Sequence, residues 1–350
     1  MKSLTEKLAA GRDLDIGDIS YAVPLLLSEQ VDDTLKCDFL IALHRKGETA
    51  DELVGFVRLL MERAVDPMID AAQLPGPLLD VCGTGGDGFD FFNVSTTIMF
   101  ILAAGSVVVV KHGSRSVTSR CGSADVLEKL GVEIHLTPEE LRECVQQLGL
   151  GFIFARQFHP AFKAIAEMRK RLAREKTRTI FSLLGPLLNP ARPSRQIVGV
   201  FASGLTSVVA EALRQLGRER AWVVYGSTED GRGMDEISTN GATTVADLAN
   251  GKISSAVLDT RWLSVKESSL DDLIGGEVED NAAILEGILS GELKGAKRDL
   301  AVVNAAAGFV VADRCHDMNE GIALAHEQLD SGRALEKLRA LQSYSAKSAR

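Results

Sequence analysis

No apolar run in this sequence is long enough to cross a bilayer; runs such as the four valines at 107–110 fall far short of the ~20 residues a spanning helix needs. The opening MKSLTEKLAAG also lacks the apolar centre of a secretion signal, so a cytoplasmic setting with no membrane partner is expected. Cysteine is sparse. The five thiols, Cys37, Cys82, Cys121, Cys144 and Cys315, are odd in number and nowhere spaced C-x-x-C, which argues against a disulfide framework and predicts reduced, mostly buried side chains. Positive charge is in deficit: 39 basic residues face 48 acidic ones, a net charge of −9 that repels nucleic acid. No internal repeat and no low-complexity segment is found.

What is present fits a soluble globular chain of one large domain or two smaller ones: 350 residues, 45% hydrophobic and 25% charged. The first seventy residues read as four short helices. Ser3 and Glu6 are spaced as a capping box, apolar residues recur at helical spacing through ISYAVPLLL and LKCDFLIAL, and Thr49 is placed as an N-cap. After Pro75-Gly76-Pro77, short apolar runs alternate with helical stretches. LLDVC (78–82), VVVVK (107–111), GFIFA (151–155), QIVGVF (196–201) and AWVVYG (221–226) are the predicted strands, which implies an α/β fold with a mainly parallel sheet covered on both faces. The last seventy residues return to helix.

The glycines of GTGGDG (83–88) follow a predicted strand and precede a predicted helix, the setting in which backbone N–H groups and a helix N-terminus receive an anion. G-x-G-x-x-G also suits a dinucleotide, but that reading needs an acid about 20 residues on, at the end of the next strand. Lys111-His112-Gly113 stands there instead, which suits phosphate or diphosphate. Asn93, Ser95 and Thr96 can cap the intervening helix or reach phosphate oxygens. A second glycine- and hydroxyl-rich turn carries Lys111, Arg115, Ser119, Gly122 and Ser123, so the two loops together point to a ligand with more than one phosphate group. Asp87 inside the first loop would repel such a ligand. Asp235 and Glu236, adjacent after a later strand, are either solvated or oxygen ligands of Mg²⁺, which bridges carboxylates to substrate phosphates. A basic run from Arg156 to Arg178 is either a solvated helix face or a local anion site.

As a set, GTGGDG, NVST (93–96), KHGSR (111–115), GSADVLEKLG (122–131), HPAFK (159–163), RTIFSLLGPLLNP (178–190) and MDEIS (234–238) resemble the anthranilate phosphoribosyltransferases of tryptophan biosynthesis, in motif and in order. The resemblance runs from the N-terminal helices to NAAAGF (304–309). It implies a small helical N-terminal domain (1–74, joined by helices from about 164–190) and a larger α/β domain (75–345) of the nucleoside phosphorylase/phosphoribosyltransferase type. A homodimer is implied as well. The implied reaction moves the 5-phosphoribosyl group of PRPP to the amine of anthranilate and releases pyrophosphate, with Mg²⁺ as cofactor and no covalent nucleophile.

By resemblance, PRPP is held by Gly83, Gly86, Asp87, Asn93, Ser95, Thr96, Lys111 and Ser123. Phe91, Val94, His112, Gly113, Ser114, Arg115 and Ser119 lie along the same motifs and join that set. Mg²⁺ is met by Ser95, Asp235 and Glu236. His112, His159 and Arg169 line the acceptor channel with Gly83 and Ser114, Arg169 meeting the anthranilate carboxylate. Departures gather on the acceptor side: Ser114 stands where the family typically has Asn, Arg156 and Phe158 replace a common Pro and His, Ser182 replaces Asn, and the link from Arg169 to Arg178 is about three residues longer. Phe91 replaces a hydroxyl residue. The alternatives are transfer from PRPP to a related acceptor, pyrimidine nucleoside phosphorolysis, and a non-enzymatic nucleic-acid-binding relative.

Overall fold

The N-terminal segment forms four helices, α1 (Lys2–Ala9), α2 (Ile16–Leu26), α3 (Asp33–Lys46) and α4 (Ala50–Met61), in a computed structural model that describes residues 1–116, 120–175, 177–263, 265–266 and 268–348. Thr49 caps α4 as expected: its hydroxyl accepts from the Glu52 N–H at 3.2 Å while Glu52 accepts from the Thr49 N–H at 2.9 Å. Glu52 is fully buried because it has further partners in reach, accepting also from the Leu14 N–H at 2.9 Å and pairing with Lys46 at 2.8 Å, so one carboxylate stitches the start of α2, the end of α3 and the start of α4. The box expected at Ser3 and Glu6 does not form. Helix α1 begins at Lys2, two residues too early for Ser3 to cap it, and Met1 caps without a side-chain bond.

The sheet holds β1 (Leu78–Gly83), β2 (Val108–Gly113), β3 (Leu150–Phe154), β4 (Arg195–Gly199), β5 (Arg220–Ser227), β6 (Gly233–Met234), β7 (Ala242–Ala249) and β8 (Lys252–Asp259). Strand order is β3-β2-β1-β4-β5-β7-β8, parallel from β3 to β5 and antiparallel beyond, with the short β6 antiparallel to β5. The five expected strands are all present, each shifted by a residue or so. The β7–β8 hairpin was not expected; its turn is Asn250-Gly251, both with positive φ (51° and 74°), the two-residue connection whose twist matches the strands it joins.

The chain leaves β1 toward β2 and β3, then returns to place β4 on the other side of β1. The direction of winding therefore reverses between β1 and β4, and a crevice opens beyond their C-terminal ends. Gly83 and Gly199 end these two strands in register with each other. The connecting helices are α5 (Val94–Ala104), α6 (Ser123–Lys129), α7 (Pro138–Leu148), α8 (Ala155–Phe158), α9 (Ala166–Arg174), α10 (Ile180–Leu187) and α11 (Leu205–Gln215); α12 (Val278–Ser290), α13 (Ala296–Val311), α14 (Met318–Asp330) and α15 (Arg333–Ser348) close the chain.

Two apolar cores result. One joins the N-terminal helices, α9, α10 and α11 to Val198, Val223, Ala246 and Leu248 of the sheet; the other packs β1–β3 against α5 to α7 and α12 to α15. Alternation along β4 divides them, Ile197 entering the second core and Val198 the first. Each fully buried Phe, Leu or Ile contributes roughly 1.5–3 kcal/mol, so α3, with Phe39, Leu40 and Leu43 all buried, is anchored by packing rather than by propensity. No helix among the described residues is long and apolar enough to cross a membrane.

Candidate functional site

Beyond β1 the glycine loop turns through three positive φ values, 65° at Gly85, 77° at Gly86 and 83° at Gly88, a path open to glycine and strained for other residues. It closes on Asp235. The Gly85 N–H donates to Asp235 Oδ2 at 2.7 Å, a β-carbon on Gly83 would collide with the same carboxylate, and one on Gly199 would collide with the Asp235 backbone. The missing side chains at the winding reversal are therefore what admits the aspartate.

Asp87 lies beside it, its carboxyl pushed up to about 8 by burial and by the negative charge of Asp235. Burial, Asp235 and Asp87 raise Glu236 well above the ordinary range, with Lys111 opposing. The order of causes matters. Three acids crowd one place, and Lys111, the cation opposing the shift of Glu236, is already engaged, donating to the Val81 carbonyl at 2.6 Å and to Ser95 Oγ at 3.0 Å. Among the described residues no three His, Cys, Asp or Glu side chains are gathered so as to hold a metal ion by themselves.

Asn93 opens α5 but does not cap it through its side chain, contrary to one reading of the sequence. Its Nδ2 donates to the Cys121 carbonyl at 3.1 Å, tying the first loop to the second, while Asn93 Oδ1 and Thr96 Oγ1 are buried with no partner among the described residues. Val94 is buried, and Phe91 stacks on Phe89 at 4.6 Å, so both shape the loop rather than offer it polar groups. In the second loop, Gly113 ends β2 against Ser123, and the Ser114 carbonyl accepts from the Ala124 N–H at 3.2 Å. Arg115 is committed to Glu128, with a bond at 2.8 Å from each terminal nitrogen. Ser119 lies outside the described residues.

The acceptor-side candidates gather on the other core. His112 and His159 meet edge to face at 5.3 Å; His112 Nδ1 lies 3.3 Å from the Gly185 carbonyl and His159 Nε2 2.8 Å from that of Leu188. Burial and His159 depress His112 to about 3, so it is neutral, and its Nε2 is buried without a partner among the described residues. His159 stacks on Phe162, which meets Phe181 edge to face, and the Arg169 guanidinium lies 5.2 Å from the Phe181 centroid and 5.8 Å from that of Phe162. Burial and the neighbouring Arg156 lower its pKa, yet a guanidinium stays charged, and among the described residues no carboxylate pairs with it.

Supporting residues were missed in the sequence. Asp80, fully buried within β1, accepts from the His112 N–H at 3.3 Å and from Gln196 Nε2 at 3.4 Å; Gln196 also donates to the Pro186 carbonyl at 2.5 Å and accepts from Arg218 Nε at 3.1 Å. An acid inside the apolar run LLDVC was the available signal. Asn304 holds the acidic loop from behind, Oδ1 accepting from the Ile237 N–H at 2.9 Å and Nδ2 donating to the Ile237 carbonyl at 3.1 Å. Cys82 and Cys121 are both pushed up to about 12, chiefly by burial, and are inert as nucleophiles. An open cavity of about 610 Å³ lies to one side, lined by Arg115, His135, Phe154, Arg156 and Gln157; neither the glycine loop nor the acidic pair lines it.

Residues 2–64 match a glycosyl transferase family helical bundle domain, and residues 75–335 match the α/β domain of a glycosyl transferase family. The chain is 42% identical to anthranilate phosphoribosyltransferase of Alkaliphilus metalliredigens over 341 residues, 97% of each chain. It is equally 42% identical to that of Acetivibrio thermocellus over 340 residues, covering 97% of this chain and 94% of the relative. Among solved structures, anthranilate phosphoribosyltransferase from Thermus thermophilus superposes with a TM-score of 0.88 at 36% identity, over 98% of this chain and 99% of that one. The Saccharomyces cerevisiae enzyme in complex with PRPP and Mg gives 0.84 at 27% identity, over 99% and 97%.

Proposed function

The chain belongs to the anthranilate phosphoribosyltransferase family, and from that premise we propose how its residues divide the work. The reaction transfers the 5-phosphoribosyl group of PRPP to the amine of anthranilate, releasing pyrophosphate, in tryptophan biosynthesis. The observation that carries the assignment of roles is the seating of Asp235 on Gly83, Gly85 and Gly199, where the sheet reverses its winding, with Asp87 and Glu236 beside it. The similar relatives are anthranilate phosphoribosyltransferases, which favours this reading over phosphorolysis and nucleic-acid binding, and the clustered acids support a metal-linked diphosphate.

In this reading Gly83, Gly86, Asn93, Ser95, Thr96, Gly113 and Ser123 surround the diphosphate and ribose phosphate. The unpartnered Asn93 Oδ1 and Thr96 Oγ1 await hydroxyl or metal-bound water partners, and Thr96 can also donate to phosphate. The acids fit Mg²⁺. Lys111, the cation that opposes the raised pKa of Glu236, is already occupied, and Mg²⁺ is ordinarily held by one or two carboxylates with the rest of its shell from water and substrate phosphates. Ser95, Asp235 and Glu236 would hold it, and the ion would neutralise charge building on the leaving pyrophosphate. Lys111 contributes from beneath, keeping Ser95 in place and setting a positive charge under the loop.

Arg169 takes the acceptor carboxylate, since a charged guanidinium resting on two aromatic faces, with no acid partner among the described residues, is set for one. Neutral His112 offers Nε2 to the acceptor amine, so positioning, and no proton abstraction by a charged base, brings the nitrogen to the ribose carbon. Residues 1–74, joined by helices from about 164–190, act as one body, and the rest of 75–345 as the other. A homodimer formed through the helical body is supported by Ile16 and Tyr21 of α2, 61% and 57% exposed. The reading carries a cytoplasmic setting, since both substrates are soluble anions. The test is anthranilate fluorescence: its loss should require both PRPP and Mg²⁺, and turnover independent of either contradicts the proposal.

A further inference from the structure

Arg178 lies between α9 and α10, exposed to solvent and outside the set of site residues named so far. Its side chain nevertheless has two contacts. The guanidinium carbon sits 4.2 Å from the centroid of Phe201, just past β4, and one terminal nitrogen donates to the Gly86 carbonyl. Its Nε lies 3.5 Å from where a β-carbon on Gly86 would be. The residue thus spans the acceptor-side helices, the end of β4 and the middle of the glycine loop.

Gly85 and Gly86 follow each other with φ values of 65° and 77°, and a glycine pair has more conformations to lose than any other. In a trans peptide the carbonyl oxygen and the next N–H point to opposite sides, so a donor that fixes the Gly86 carbonyl also fixes the direction of the Asp87 N–H. Charge adds to this. Arg115, the arginine of the second loop, is matched by Glu128, whereas no acid among the described residues pairs with Arg178. Its donors beyond the one used on Gly86 remain beside a loop built for anions.

On the reading of this loop as the PRPP site, we propose that Arg178 is a positioning residue for the phosphoribosyl donor: it pins the glycine loop in its anion-receiving shape from the acceptor-side helices, braced by Phe201. A planar guanidinium can stack on a ring and donate in its own plane at once; an ammonium cannot.

The experiment compares wild type with R178A, R178K and F201L in the fluorescence assay, with thermal unfolding alongside. R178A is expected to raise KM for PRPP by roughly 10- to 100-fold, the scale of one lost charge-assisted hydrogen bond, with KM for anthranilate within about twofold and the unfolding midpoint unchanged. R178K should recover only part of the loss, and F201L should raise the same KM by about 2- to 5-fold. An R178A enzyme with wild-type KM for PRPP overturns the inference, as does an equal rise in both KM values with a fall in midpoint, which marks a scaffold role. A wild-type enzyme that fails to consume anthranilate with PRPP sinks instead the reading on which the inference rests.

Discussion

The two halves of the proposed site are built by opposite means. The donor half is backbone and charge: three positive-φ glycines, an aspartate admitted by two absent side chains, and acids that repel one another. The acceptor half is surface and shape: two neutral imidazoles, two phenylalanines and an arginine lying on them. One sits on strand ends whose register fixes it; the other is carried largely by α9, α10 and the segment before them, which belong to the other core. The donor half is therefore intolerant of added atoms, and the acceptor half graded in its response to lost ones.

The largest break is expected from Gly199→Ala. Its new methyl would occupy the position of the Asp235 backbone, an overpacking that costs about 1–3 kcal/mol locally. Because the displaced group is, on the proposed assignment, an acid that meets the metal-linked diphosphate, turnover should fall by more than about 100-fold. Anthranilate binding, measured by fluorescence titration, should persist. Next comes Arg169→Ala, which should raise KM for anthranilate by roughly 10- to 100-fold with KM for PRPP nearly unchanged, as one carboxylate contact is lost. Phe181→Leu keeps the arginine but removes the nearer ring, and should raise the same KM by a few-fold, on the scale of about 0.5–1 kcal/mol for a cation–π contact.

The smallest effect concerns pH. His112 is depressed to about 3 in the folded chain and titrates near 6.5 when unfolded. Below 6.5 the unfolded chain therefore binds a proton that the folded one does not. Stability contributed by this group is complete above pH 6.5 and declines as pH falls toward 3, by at most about 1.4 kcal/mol per pH unit. Urea unfolding of His112→Gln should show a shallower acid decline than wild type; identical slopes would mean that the imidazole is not held neutral.

The same contrast explains what the sequence disclosed. Parallel strands buried on both faces read as continuous apolar runs, so β1 to β5 were legible, and the glycine loop was legible because its geometry demands glycine. The β7–β8 hairpin was not, although Asn250-Gly251 marked its turn: ATTVADLA mixes polar with apolar residues although β7 lies inside the sheet, and β8, the edge strand, is mostly exposed. Asp235 and Glu236 were found as a pair, but that Gly199 makes room for them depends on the β1–β4 register, which no local pattern records. The capping reading of Asn93 failed because its amide is oriented by a bond from Nδ2 to the Cys121 carbonyl, 28 residues away. Asp80 was overlooked for the same reason, and Arg178, though part of the basic run offered as an anion site, gave no sign of its contact with Gly86, 92 residues away in sequence.

Calorimetric titration of PRPP into wild type and the Asp235→Asn, Glu236→Gln double variant, each with and without Mg²⁺, tests most directly whether these acids meet the donor. Mg²⁺ should tighten PRPP binding to wild type and have no such effect on the variant, whose anthranilate affinity stays intact. A variant that binds PRPP as wild type does, with the same response to Mg²⁺, contradicts the account.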